Sequence, residues 1–489
     1  MIRLAGCLIL AVTASCVARG PAPGGEATGA RADRVVAGLR PGVVVVGAAP
    51  VLYRLVDRLA HHHVPGVSIA VVDSGRIVWA RGFGVREAGT TDSVTPTTFF
   101  QAASISKPVT ATAMLRLVDQ GVLDLDTPVN HYLTSWKLPD NRFTAEAPVT
   151  LRRIVSHNAG LTVHGFRGYA TGDAIPTVPQ ILDGLKPANS PPVRVDTTPG
   201  SIWRYSGGGT TVMQLVLTDI TGETFPALMK RLVLDPAGMT ESGYHQPLPV
   251  EMRGHAATGH EGDGSVTPGR WFTYPEMGPA GLWTTPSDLV KWAMAIAAAR
   301  NGGGHAILSQ RLATEMLTEQ KAPSGLGPML HGSGRMFWFG HDGANHGFRS
   351  DLVYFPELGR GAAVMANGDQ GTALIEEVMR ALAAEYSWPG YRPAREVELV
   401  AADSTELTRY PGSYVVSDPA PATLTISSDG RHLFAEVSGY MVRAEIGLVA
   451  VDRGVNLDTG DELTFVFQRV GPATRVDFWG VSFSRVDPR

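Results

Sequence analysis

The run "FFQAASISKPVTATAMLRLVDQG", Phe99–Gly121, decides how the chain is read. Ala111, Met114, Leu115 and Val118 recur at helical spacing, and Gly121 is a stop signal, so a helix is expected here. Pro108 fits only a first turn, where its missing N–H is not needed. Ser104 and Lys107 therefore fall at the helix start, three residues apart and on one face. A serine hydroxyl is a poor nucleophile until a base removes its proton. A lysine one turn away can be that base if burial lowers its pKa, whereas an arginine cannot deprotonate. Only six of the 42 basic residues are lysine, which makes the choice at 107 suggestive. A Ser cap with a solvated Lys is the ordinary alternative, so other motifs must decide.

Working outward, the chain is long enough at 489 residues for more than one domain. Its net charge is −4 and it has no basic run, which gives no footprint for a nucleic-acid partner. Both cysteines, Cys7 and Cys16, precede the expected fold. "MIRLAGCLILAVTASC" has Arg3 and then an apolar run too short to span a bilayer, as in a secretory signal. "TASC" resembles a lipoprotein signal in which Cys16 becomes the lipidated, membrane-attached first residue, although Thr13 is not the usual Leu. Export is expected, either as a periplasmic or cell-surface lipoprotein or as a secreted protein.

The expected organisation is a signal at 1–16, a flexible tether at 17–50, a catalytic domain at 51–388, a linker at 389–405 and a small β domain at 406–489. "VLYRLVDRLAHHH" places Leu52, Leu55, Val56 and Leu59 on one helical face. "GVSIAVVDSGRIVWARGFG" reads as a hairpin, helices dominate Phe99 to Ala299, and strands return in "DLVYFPELGRGAAVMAN". That order implies an α+β fold: an antiparallel sheet built from both chain ends, flanked by helices, with a helical subdomain between. After "YSWPGYRP", short alternating strands suggest an antiparallel barrel or sandwich.

Two further stretches carry chemistry. In "GSIWRYSGGGTTVMQ", Tyr205 precedes Gly207–Gly209 and a helix; a phenol serves as base and acid when cations lower its pKa. In "GHDGANHGFRSDLVYF", His341 and Gly343 open a strand pattern, and a glycine there would let an edge strand approach a ligand.

Together, "SISK", "YSG" and "HDG" resemble the Ser-x-x-Lys, Tyr-x-Asn and Lys-Thr-Gly or His-x-Gly elements of the serine β-lactamase and penicillin-binding protein superfamily. The likeness is closest to the class C β-lactamase-like hydrolases, which include esterases and D-amino-acid peptidases and amidases, and it runs from about Val51 to Trp388. The resemblance implies a β-lactamase/transpeptidase-like fold and, more weakly, a lipocalin-like C-terminal barrel. It implies a serine hydrolase that cleaves a small ester, amide or peptide through an acyl-enzyme, with no metal and no cofactor. Ser104 would be the nucleophile, and Lys107 and Tyr205 would share the base. The Ser104 and Ala344 N–H groups would form the oxyanion hole, while His341, Gly343 and Gly207 would contact substrate.

Gly207 stands where the family often has an amide-bearing Asn, and His341 replaces a permanently charged lysine. Both departures favour simple esters over β-lactams, with Arg349 a candidate replacement for the charge. A catalytically silent binding protein is the reading of another class, and the intact Ser104, Lys107 and Tyr205 argue against it. His61–His63 are expected at a solvated helix end, and His157 is expected to shape a loop near the cleft. His164, His255, His260 and Glu276 are expected in surface loops. Asp342 and His346 are given no role.

Overall fold

The computed structural model describes residues 24–303, 307–417, 421–468 and 471–486. The signal and Cys16 lie outside the described residues. Among these residues, no helix is long and apolar enough to cross a membrane.

The central sheet has six antiparallel strands: β1 (Gly66–Asp73), β2 (Arg76–Gly84), β3 (Met329–His331), β4 (Trp338–Asn345), β5 (Phe348–Phe355) and β6 (Arg360–Ala366). Their spatial order is β2-β1-β6-β5-β4-β3, so the two chain ends meet where β1 pairs with β6. β1 and β6 are almost continuously apolar because both of their faces are covered. Ala70 and Val72 join the core of the helical subdomain, while Val67, Ile69 and Val71 join the core on the opposite face.

Helices cover both faces of this sheet. α1 (Gly24–Ala37), α2 (Leu55–His61) and α7 (Gly371–Glu385) lie on one face; α6 (Pro286–Arg300) lies on the other. α3 (Ser106–Asp119) and α4 (Gly207–Thr221) belong to the helical subdomain, and the short α5 (Met277–Ala280) packs against both. Beyond Leu407, eight strands form a closed antiparallel barrel. Tyr414, Leu424, Leu463, Phe465, Val476 and Phe478 fill its interior, so it is a packed core.

Several sequence expectations need correction. The stretch 17–50 is not a free tether in its described part. Residues 24–37 form α1, with Ala32 and Val35 buried and Arg31 hydrogen-bonded to Glu385 and Asp73. Val43–Val45 pairs in parallel with Arg395–Val397, so the expected linker at 389–405 carries a strand. α2 starts only at Leu55 and buries Leu55, Arg58 and Leu59, while Leu52 and Val56 are exposed.

His62 is buried rather than solvated. Its Nε2 lies 3.1 Å from Glu377 Oε1, beside the Arg58 guanidinium, whose Nε donates to Glu377 Oε2 at 2.9 Å. Arg58 also reaches Asp458 of the barrel at 2.8 Å, so this cluster ties the barrel to the catalytic domain. His260 is buried and bonded through Nδ1 to Asn367 O at 2.7 Å, whereas His255 is exposed at the end of a short 3₁₀ helix, Val250–His255. Glu276 is fully buried at the start of α5, and burial pushes its carboxyl up to about 8.

Candidate active site

The chain enters the site from a short strand, Phe100–Gln101, and turns through a single 3₁₀ turn, Ala103–Ile105, before α3 begins at Ser106. Ser104 thus stands one turn ahead of the regular helix. Ala103 has φ +50°, a region that non-glycine residues seldom adopt. Three bonds hold this turn: Ala102 N–H donates to Leu282 O (2.8 Å), Ser350 Oγ donates to Ala102 O (2.9 Å), and Ile105 N–H donates to the same oxygen (3.2 Å). Strain persists only where surroundings impose it, and here it presents Ser104 to the cavity.

Gly343 of β4 shows why a glycine is required. A Cβ there would lie 2.3 Å from Ala102 O and 2.3 Å from Ser350 Oγ. Its hydrogen therefore lets the strand press against the nucleophile's turn; the expectation that it clears space for ligand is corrected. Gly207 is also buried, and a Cβ on it would meet His164 O at 3.0 Å and the Phe166 ring at 3.2 Å. The loop 162–167 fills the place of a side chain at 207, so neither glycine lines the cavity.

Lys107 Nζ donates to Ser104 Oγ at 2.9 Å and to Pro279 O at 3.2 Å. It is buried, with no carboxylate among the described residues in hydrogen-bonding range, and desolvation brings its ammonium down to about 7 against a smaller upward pull from Asp342. Nζ also sits 4.7 Å from the centre of the Tyr205 ring. Tyr205 Oη lies 3.5 Å from His341 Nε2. Burial raises the Tyr205 pKa above the ordinary phenol value, opposed by its contact with Ser104. The expectation that cations would make Tyr205 a ready base is therefore corrected: at rest it is a neutral phenol. His341 is held below the ordinary imidazole value, chiefly by burial, and its Nδ1 lies 2.6 Å from Asp342 O.

His157 is buried, and it holds the backbone on both sides of Tyr205. Its carbonyl accepts from Arg204 N–H at 2.7 Å, and its Nδ1 accepts from Ser206 N–H at 3.2 Å. With Nδ1 accepting, the proton of the neutral ring sits on Nε2. The His157 and His164 rings flank the phenol at 4.4 and 4.8 Å. The "SHNAGL" stretch signalled the loop around His157, but no sequence feature revealed the ring contacts of His164.

The β4–β5 turn has two residues, His346–Gly347, between the paired Asn345 and Phe348. Alternation from that closing pair turns the His341 and Gly343 N–H groups toward β5 and the Ala344 N–H away from it. β3 covers only Trp338–Gly340 on that side, which leaves Ala344 facing the cavity. The Ser104 N–H lies in a first helical turn, where intrahelical partners are lacking.

A cavity of about 1010 Å³ joins Ser104, Lys107, Tyr205, His341 and Ala344 with the 161–167 loop and Trp203. Arg349 is not available as a cation for substrate, since it pairs with Asp369 at 2.9 Å.

A nucleophile, a buried amine and a phenol on this fold define a serine hydrolase. Over residues 52–385 the chain matches the family model described as Beta-lactamase, and it belongs to that family. Penicillin-binding protein 4 of Amycolatopsis lactamdurans is 28% identical over 344 residues, covering 66% of this chain and 86% of the relative. Esterase EstB of Burkholderia gladioli is 32% identical over 271 residues, covering 49% and 67% respectively. Among solved structures, the octameric penicillin-binding protein homologue from Pyrococcus abyssi superposes with TM-score 0.57 at 22% identity, over 87% of this chain and 96% of that one. D-amino acid amidase from Ochrobactrum anthropi gives 0.54 at 23% identity, over 68% and 96%. These two likenesses bear on the fold alone.

Proposed function

We propose that this enzyme cleaves simple esters through an acyl group carried on Ser104. The supporting observation is the 2.9 Å contact between Ser104 Oγ and a Lys107 amine whose pKa is brought to about 7, so that near neutrality about half of it is free base. Lys107 takes the Oγ proton as the Oγ–C bond forms. The Ser104 and Ala344 N–H groups hold the developing oxyanion. Collapse breaks the bond to the leaving alkoxide, which receives the proton by way of the Tyr205 phenol. Water then repeats the sequence on the acyl-enzyme and frees Ser104.

Esters are favoured because the cavity offers no permanent cation from His341 or Arg349 and no side-chain amide at 207. Each unmet polar partner of a β-lactam costs about 1–3 kcal/mol, or roughly one to two orders of magnitude in selectivity. An aryl ester presents neither group. Amide cleavage is the second reading, since the same nucleophile and base can act on an amide carbonyl.

A fluorophosphonate probe should label the peptide containing Ser104, and the Ser104→Ala protein should stay unlabelled while folded. Labelling elsewhere, or a wild type that prefers a cephalosporin to an aryl ester, would overturn the proposal. The sequence of residues 1–16 further supports export with Cys16 as a lipidated terminus. Mass spectrometry of the mature N-terminus tests this: an unmodified terminus other than Cys16 refutes lipidation, and retention of Met1 refutes cleavage.

A further inference from the structure

Glu276 is a buried acid that the chemistry so far leaves unused. It opens α5 without capping it and is sealed from water. Among the described residues neither carboxyl oxygen has a hydrogen-bond partner, and no cation pairs with either. The Tyr169 hydroxyl comes near enough to act on the carboxyl without closing a hydrogen bond, and Glu276 acts in turn on Tyr274. Both are neutral phenols, raised above the ordinary value by burial. α4 presents the uncharged Gln214, and α3 engages its Lys107 at Ser104 and Pro279 O. Beyond Tyr274, Arg349 is paired with Asp369 and the His346 ring faces Glu261.

The segment 274–282 around this acid straps the walls of the reaction cavity together. Tyr274 Oη donates to Arg167 O (3.3 Å) and accepts from His346 N–H (3.0 Å). Gln214 grips both sides of Glu276: its Nε2 donates to Pro275 O (3.1 Å), and its Oε1 accepts from Gly278 N–H (2.7 Å). Gly278 O then accepts from Thr110 (3.0 Å), Pro279 O from Lys107 Nζ (3.2 Å) and Ala280 O from Asn345 Nδ2 (3.0 Å). Leu282 O holds the Ala102 N–H where the nucleophile's turn begins. An unpaired charge sealed inside such a strap must stay neutral or break the seal. Burial accordingly keeps the proton on Glu276 up to about 8.

We propose that Glu276 positions the base: the strap stays seated, with Pro279 O on Lys107 Nζ, only while this carboxyl is uncharged. This rests on the acyl-serine reading, in which Lys107 must face Ser104. On ionising, the carboxylate turns toward water and pulls against the Gln214 bonds on either side of it. Pro279 O shifts with the strap, and the amine loses the acceptor that helps hold it 2.9 Å from Ser104 Oγ. Glu276 exchanges no proton with substrate and acts through Lys107. Glutamine or leucine would fill the same space without titrating, so the acid makes the alignment depend on pH.

The test compares the full chain with Glu276→Gln and Glu276→Leu, neither of which can take the charge. Each protein is read by its own ratio of aryl-ester kcat at pH 9 to kcat at pH 7.5, with Ser104→Ala correcting for spontaneous hydrolysis. The wild type should leave the plateau set by Lys107 and fall roughly 5–10-fold as Glu276 ionises, while both variants hold the plateau. Near-UV circular dichroism at pH 9 distinguishes lost alignment from lost protein. Stability carries the matching sign. The folded acid keeps its proton to a higher pH than the unfolded one, so the Tm advantage of the variants should grow from pH 5 to 8. A wild-type plateau unbroken to pH 9.5, or a fall that a folded variant shares, would overturn the proposal. Absence of Ser104-dependent turnover at pH 7.5 would instead refute the acyl-serine reading itself.

Discussion

Two buried cations teach opposite lessons in this molecule. Arg58, between the catalytic domain and the barrel, is enclosed by Glu377 and Asp458 and is held above the usual guanidinium range. Lys107, in the reaction cavity, is just as thoroughly buried but is given only a hydroxyl and a carbonyl. The first is a permanent charge whose field holds two domains together. The second loses its proton near neutrality and becomes a base. What separates them is the carboxylate, together with the choice of guanidinium or amine.

The largest effect should come from erasing that chemical difference. Lys107→Arg keeps a cation and loses the basicity, so aryl-ester turnover should fall about 10²–10⁴-fold, nearly as far as in Lys107→Ala. Wild-type-like rates in the Arg variant would mean that Lys107 is not the base.

Breaking the other cation should damage stability instead. Arg58→Ala leaves Glu377 and Asp458 buried with less compensation, which costs about 3–5 kcal/mol. Calorimetry should show a lowered Tm, while the protein that remains folded keeps its kcat. Gly343→Ala combines both losses, since its Cβ pushes on the Ala102 turn; both Tm and kcat should fall.

A pH series sharpens the comparison. Activity should rise with pH through about 7 and then level off, as Lys107 loses its proton. The linkage sign for stability follows from the depressed folded pKa: between about 7 and the unfolded value near 10.5 the unfolded chain binds more protons, so stability rises with pH. Lys107→Met should therefore raise Tm most at or below pH 7, and the gain should shrink toward pH 10. A gain that grows with pH would contradict a desolvated amine.

The smallest effect on chemistry should follow removal of the barrel, whose described residues contribute nothing to the cavity. A chain ending near Arg395 should keep esterase activity within a few-fold, at reduced Tm because the Arg58–Asp458 bond is lost. Loss of probe labelling in a soluble, folded truncation would show that the barrel completes the site.

The motifs "SISK", "YSG" and "HDG" were legible because reacting groups need particular side chains, and the strand–helix–strand order exposed the sheet made from both chain ends. What the sequence hid were effects of partners brought from afar. The sequence of 24–37 reads as a tether because the glycines and alanines from 20 to 30 mask a helix held by Glu385 and by packing on α7. The burial of His62 depends on Glu377, more than 300 residues away, and the environments of Gly207 and Gly343 depend on the 162–167 loop and on Ala102. Tyr205 could be placed, but the direction of its pKa could not, because desolvation is a property of the finished cavity.

The pairing of β1 with β6 joins Val67 to Ala366 and Val72 to Gly361. The strand that completes the sheet's centre is thus the last of the six to leave the ribosome. Until it arrives, β1 has only β2 beside it, and β4 cannot be pinned behind the Ser104 turn. Contacts this distant in sequence make folding slow. The newly made chain holds its serine and lysine long before they form an active pair, and synthesis past Ala366 is what lets that pair assemble.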